Sequence, residues 1–161
     1  MAKIVYFVPN PDVWITTRTQ SSRAYAAKVV DVLLKNDEKL KILIVCSEEK
    51  HAKDNAEFMA NKLNTSYLPC PALTSRHTVD MGRTPVSSID LIDAAGVMAE
   101  YCKDTDILIV AVNQKNVRPF QEELAAQLDK RLIVIDGNIT NEVSLLDISV
   151  EDEDAVLAIV R

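Results

Sequence analysis

Ser75-Arg76-His77-Thr78 is the densest polar cluster in an irregular stretch of the chain. Its residue types suit an anion: a guanidinium meets a phosphate or carboxylate through two parallel hydrogen bonds, and an imidazole and hydroxyls stand beside it. Ordinary loop polarity would also produce such a cluster. A second run of donors, Asn113-Gln114-Lys115-Asn116, follows an apolar segment, and Arg118 just beyond it reads either as charge at a helix entry or as a ligand contact. Ser47-Glu48-Glu49 reads as a helix cap with acids in the first turn, a start that also leaves backbone donors able to hold an anion. His51, in the next positions, is either a solvated surface residue or a pocket residue. Pro9-Asn10-Pro11 closes the first apolar run. Its prolines have no backbone donor, and Asn10 offers hydrogen bonds but no nucleophile or titrating base. It reads either as a rigid turn or as a ligand contact.

Two features carry no chemistry on this reading. Cys46 precedes Ser47 at a strand end, but no arginine follows at the spacing a cysteine-dependent phosphatase loop needs, so it reads as a small buried hydrophobe. Glu151-Asp152-Glu153-Asp154 lacks the spacing and glycine of a calcium loop and reads as a solvated turn.

These residues need a scaffold, and the composition supplies one. The chain has 161 residues, 48% hydrophobic and 26% charged, with only three glycines, which fits a single domain over residues 1–161 with a real core. A net charge of -6 argues against a sequence-independent grip on nucleic acid. Cys46, Cys70 and Cys102 have neither metal nor redox spacing and suit a reducing cytoplasm. No apolar run approaches bilayer length, and no export signal opens the sequence, so no membrane association is expected. None of the glycines, Gly82, Gly96 and Gly137, opens a helix after a strand, so no nucleotide loop and no cofactor is expected.

Short apolar runs alternate with helical periods, the pattern of a layered α/β domain. Strands are expected at Ile4 to Val8, Leu40 to Val45, Thr65 to Leu68, Ile107 to Val112, Arg131 to Ile135, Glu142 to Ile148 and Ala155 to Val160. The spacing predicts helices from Ser22 to Leu34, from Glu49 to Leu63 with Asn64 closing it, from Ser87 or Ser88 onward, and from Pro119. Their buried stripes are Ala26, Val29, Val30, Leu33 and Leu34; Ala52, Ala56, Met59, Ala60 and Leu63; Leu91, Ala95, Met98, Ala99 and Cys102; and Phe120, Leu124 and Leu128. The continuous apolar run at Ile107 marks a central strand buried on both faces. Pro69 to Ser87 reads as a long functional loop, a lid or pocket wall.

The order of elements resembles the histidine phosphatase, or phosphoglycerate mutase-like, superfamily in a compact form. The resemblance implies a three-layer α/β/α sandwich with a mostly parallel central sheet. Where that family ends its first strand in Arg-His-Gly, this chain has Pro9-Asn10-Pro11. Its Ser-x-x-x-Arg-Ala helix entry is matched by Ser47-Glu48-Glu49-Lys50-His51-Ala52, with His51 in place of the arginine. Its Pro-x-Leu-x-Glu turn is matched by Pro71-Ala72-Leu73-Thr74-Ser75, with Ser75 in place of the acid. Its second histidine falls on Val112 or Asn113, before Gln114, depending on register. The family's closing hairpin is matched by Asn141-Glu142-Val143-Ser144 and Ala155 to Val160.

The family's reaction attacks a phosphoryl group with an imidazole, holds the oxygens in a cationic ring and protonates the leaving group with a carboxylic acid. Asn10 cannot form a phosphoenzyme, Pro9 removes a fixed cation, a histidine is not a fixed cation, and Ser75 is a poor proton donor. The resemblance therefore implies the fold without the activity: a catalytically degenerate protein with a cleft for an anionic or phosphorylated small ligand. Its candidate contacts are Asn10, Ser47, His51, Ser75, Arg76, His77, Asn113 and Gln114, and a protein partner or homodimer is open. The alternative is a phosphatase or other hydrolase with a rebuilt site using His51 or His77. A third reading is a generic open α/β fold such as a flavodoxin-like module.

Overall fold

A computed structural model of the chain describes residues 4–10, 16–35, 39–74, 76–78, 86–88, 91–128, 132–135 and 157–160. In chain order the elements are β1 (Ile4–Asn10), α1 (Thr16–Leu34), β2 (Ile42–Cys46), α2 (Lys50–Leu63), β3 (Tyr67–Pro69), a 3-10 turn (Pro71–Leu73), β4 (Arg76–Thr78), β5 (Val86–Ser88), α3 (Leu91–Lys103), β6 (Ile107–Asn113), α4 (Gln114–Leu128), β7 (Leu132–Ile135) and β8 (Leu157–Val160).

The apolar run at Ile107 is the middle of the sheet: every residue of β6 is buried, as a strand covered on both faces requires. It lies between β2 and β1 in a six-stranded sheet of order β3-β2-β6-β1-β8-β7. Every pairing within that sheet is parallel. Side chains alternate along each strand and so separate into two cores. Tyr6, Val8, Ile44, Ile109 and Ala111 pack with the stripes of α1 and α2 on one face. Val5, Phe7, Val45, Leu108 and Val110 pack with α3 and α4 on the other. There the rings of Phe7 and Phe120 meet edge to face, with centroids 5.7 Å apart. The molecule is thus an α/β sandwich with helices on both faces of the sheet.

Asn64 caps α2 as expected, in the left-handed region at φ 53° and ψ 47°, with its N–H bonded to the carbonyl of Ala60. Several expectations need correction. The first helix begins at Thr16, not Ser22, because the polar segment before Ala26 has no apolar stripe to betray it. Leu34 is 58% exposed; it ends the helix, one residue after the stripe is completed by Leu33. The third helix starts at Leu91, whereas Ser87 and Ser88 lie in β5. Hydroxyl residues serve a ribbon as readily as a helix cap. The fourth helix starts at Gln114, directly from β6, and Pro119 lies inside it.

Pro69 to Ser87 is likewise not one loop: it holds the 3-10 turn and the antiparallel pair β4 and β5, which forms a separate two-stranded ribbon. The segment Glu142 to Ile148, the acidic run Glu151 to Asp154, and Ser75 lie outside the described residues.

Candidate functional site

In an open parallel sheet, a crevice forms at the carboxyl edge where neighbouring strands send their connections to opposite faces. Here those strands are β1 and β6. The chain leaves β1 for α1 on one face and leaves β6 for α4 on the other. The last residues of the two strands, Asn10 and Asn113, are partners in the parallel register, and both are buried.

Asn10 is held by four hydrogen bonds. Its Nδ2 donates to the carbonyls of Val8 at 2.8 Å and Val112 at 3.1 Å. Its Oδ1 accepts from Ser22 Oγ at 3.1 Å and from Asn55 Nδ2. An amide has two hydrogens and two acceptor positions, so Asn10 is saturated within the protein. It ties β1 to β6 and both strands to α1 and α2. Asn55 gives its other hydrogen to Ser22 Oγ at 2.6 Å, and its Oδ1 accepts from Arg23 Nε at 2.8 Å. The guanidinium of Arg23 lies over the Phe58 ring, 4.5 Å from its centroid.

The neighbouring wall is the β2-to-α2 connection. The N–H of Ser47 bonds to the carbonyl of Ala111, which holds Ser47 against β6. Its side chain does not cap α2. The N-cap is Glu49, extended and without a side-chain cap bond, and no acid lies in the first turn of the helix. Ser47 Oγ is instead fully buried with no hydrogen-bond partner among the described residues. The next N–H, from Glu48, bonds to Thr74 Oγ1 at 2.9 Å. His51 is half-buried in the first turn of α2, four residues before Asn55 and therefore on the same helix face.

Comparison with family models, curated proteins and solved structures returned no significant match. The chemistry of the crevice therefore rests on its own residues.

Four of the sequence-predicted contacts, Asn10, Ser47, Asn113 and Gln114, converge on the carboxyl edge of the central strands, and His51 stands on the helix that borders them. Arg76 and His77 belong to β4, which among the described strands pairs with β5 and not with the main sheet. The buried polar residues at the edge are amides and hydroxyls: Asn10, Ser22, Ser47, Asn55 and Asn113. Burial pushes the Cys46 thiol up to about 11, against the opposing pull of Lys53, so it stays protonated at neutral pH. That fits the reading of Cys46 as an inert core residue.

Sequence reasoning passed over Ser22, Arg23, Asn55 and Thr74. Asn55 left one signal, a polar residue within the buried stripe formed by Ala52, Ala56 and Met59. The others became visible only once α1 and the 3-10 turn were placed against α2.

Proposed function

We propose that this chain is a catalytically degenerate histidine-phosphatase-like, phosphoglycerate mutase-like protein. It uses the crevice beside β1 and β6 to bind an anionic, phosphate-sized ligand without turning it over. The reading rests on the resemblance of element order and helix-entry segment. It is supported by the register that sets Asn10 opposite Asn113, which favours Asn113 over Val112 as the counterpart of the second histidine. Neither Asn10, whose amide is saturated within the protein, nor Asn113 can exchange a proton at neutral pH, which fits a protein without phosphoryl transfer.

The observation that carries the proposal is the Ser47 hydroxyl. A fully buried hydroxyl without a partner among the described residues costs about 1–3 kcal/mol, a cost that a bound anion accepting from it would offset. Ser47 lies just ahead of the positive end of α2, where the helix dipole favours an anion. One oxyanion there would accept from the hydroxyl and from the helix end together.

A thermal-shift series with phosphate, sulfate, vanadate and sugar phosphates tests the binding. A ligand at a hundred times its dissociation constant stabilises the native state by about 2.7 kcal/mol. A screen of phosphomonoesters is expected to show no turnover above background. Absence of any anion-induced shift removes the binding half of the proposal, and turnover abolished by His51→Ala removes the other half.

A further inference from the structure

We infer that Thr74 is a positioning residue for the anion site: by holding the peptide that follows Ser47 it sets the direction of the Ser47 hydroxyl, an inference that rests on the anion-binding reading above. The peptide that enters Ser47 is pinned at both ends. Its carbonyl, on Cys46, accepts the Cys70 N–H at 2.7 Å, and its N–H, on Ser47, donates to the carbonyl of Ala111 at 3.0 Å. A peptide unit is planar, so these two bonds orient the whole group between the chain leaving β3 and the strand β6.

The peptide that leaves Ser47 lies beyond the last residue of β2 and outside the strand ladder. Its N–H, on Glu48, donates to Thr74 Oγ1 at 2.9 Å, and the same hydroxyl donates to the carbonyl of Cys70 at 3.4 Å. Cys70 therefore holds the peptide before Ser47 directly and the peptide after it through Thr74. Once both flanking planes are set, so are the φ and ψ of Ser47, and the direction of its Cα–Cβ bond follows. Only the χ1 rotor is left to choose. Thr74 can serve as a fixed point because its own N–H bonds to the carbonyl of Pro71 at 3.1 Å and its neighbour Leu73 is fully buried in the core beneath α3 and α4. Its hydroxyl thus ties the aim of Ser47 to the opposite face of the sheet.

The test is a double-mutant cycle in the full chain, with inorganic phosphate as probe, affinity read by calorimetry and stability by urea midpoint. Thr74→Val keeps the shape and removes the hydroxyl. It should weaken phosphate by about threefold to tenfold, and Thr74→Ser should restore the wild-type affinity. Because Thr74 acts through Ser47, adding Thr74→Val to Ser47→Ala should change affinity by less than about twofold, even though it lowers stability in both backgrounds. An equal loss of affinity in both backgrounds is what a merely structural role produces, and it overturns the proposal. Unchanged affinity in Thr74→Val overturns it too. Should Thr74→Val fold poorly, amide hydrogen exchange in the wild-type protein decides: the Glu48 amide is expected to be protected, equally with and without saturating phosphate. A Glu48 amide that exchanges as freely as an open loop shows that Thr74 does not hold it and sinks the assignment. These failures leave the anion site standing, whereas a wild-type protein that binds no phosphate overturns the anion reading and the role of Thr74 with it.

Discussion

Asn55 on α2 donates a hydrogen bond to Asn10 at the end of β1, a contact between buried side chains 45 residues apart in the chain. Through it the helix is fastened to the two central strands, because Asn10 also bonds to the carbonyl of Val112 on β6. Asn55→Ala removes the donor to both Asn10 and Ser22 and leaves buried acceptors short of a partner. A loss of about 2 kcal/mol is expected, read as a lower urea midpoint at unchanged m-value. Arg23→Ala, at the exposed end of the same network, should cost under about 1 kcal/mol. Equal losses from the two variants would show that the buried amides are not what holds the helices to the sheet.

Asn10→Asp gives a pH signature for the same site. The substitution replaces two donors by an acceptor facing the carbonyls of Val8 and Val112, in a buried position where a carboxylate is poorly solvated. Both effects raise the folded-state pKa above the unfolded value of about 3.9. A raised pKa means that the variant is least impaired below that value and loses stability as pH rises through the folded pKa. The melting temperature of Asn10→Asp should therefore fall between pH 4 and pH 8 relative to wild type, and a constant difference across that range contradicts the burial.

Much of the layered architecture was readable in advance because its signal is periodic. The run at Ile107 announced a strand covered on both faces, and Ala52, Ala56, Met59 and Ala60 announced the face of α2. What escaped has a common physical cause. The first turns of α1 are polar, β4 and β5 lack an apolar alternation, and the turn that follows β6 is helical without an apolar stripe. Hydrophobic period cannot mark any of these segments. The candidate site was legible at strand ends, where Asn10, Ser47 and Asn113 stand. It was not legible at Ser22, Asn55 and Thr74, whose roles depend on contacts between distant segments. The long-range register set Asn10 opposite Asn113, which neither residue's neighbours could foretell.

The cysteines give a prediction about reactivity and alkaline stability. Cys46, Cys70 and Cys102 are all free and buried, so a thiol reagent at pH 8 should modify none of them until the protein is unfolded. Burial raises Cys46 and Cys102 from 9.0 to about 11 and Tyr6 from 10.0 to about 12. The unfolded chain ionises first, so the stability linked to these groups is fully present below about pH 9 and is lost as pH rises through 11 and 12. Replacing Cys46 and Cys102 by alanine should flatten the lower part of that decline. Rapid labelling of Cys46 in the native protein at pH 8 would refute its assignment to the core.

Ser47→Ala separates the fold from the proposed function because the two should move in opposite directions. The hydroxyl is fully buried and has no partner among the described residues, so its removal relieves a desolvation cost. The ligand-free variant should be as stable as wild type or more stable by about 1 kcal/mol. If the hydroxyl contacts the bound anion, the same variant should bind phosphate about fivefold to tenfold more weakly. The paired measurement is a urea midpoint without ligand and a phosphate titration by calorimetry. A destabilised variant means that Ser47 has an internal partner, and an equally stable variant with unchanged affinity removes Ser47 from the binding site. Gained stability together with lost affinity is the pattern that a residue kept for binding produces.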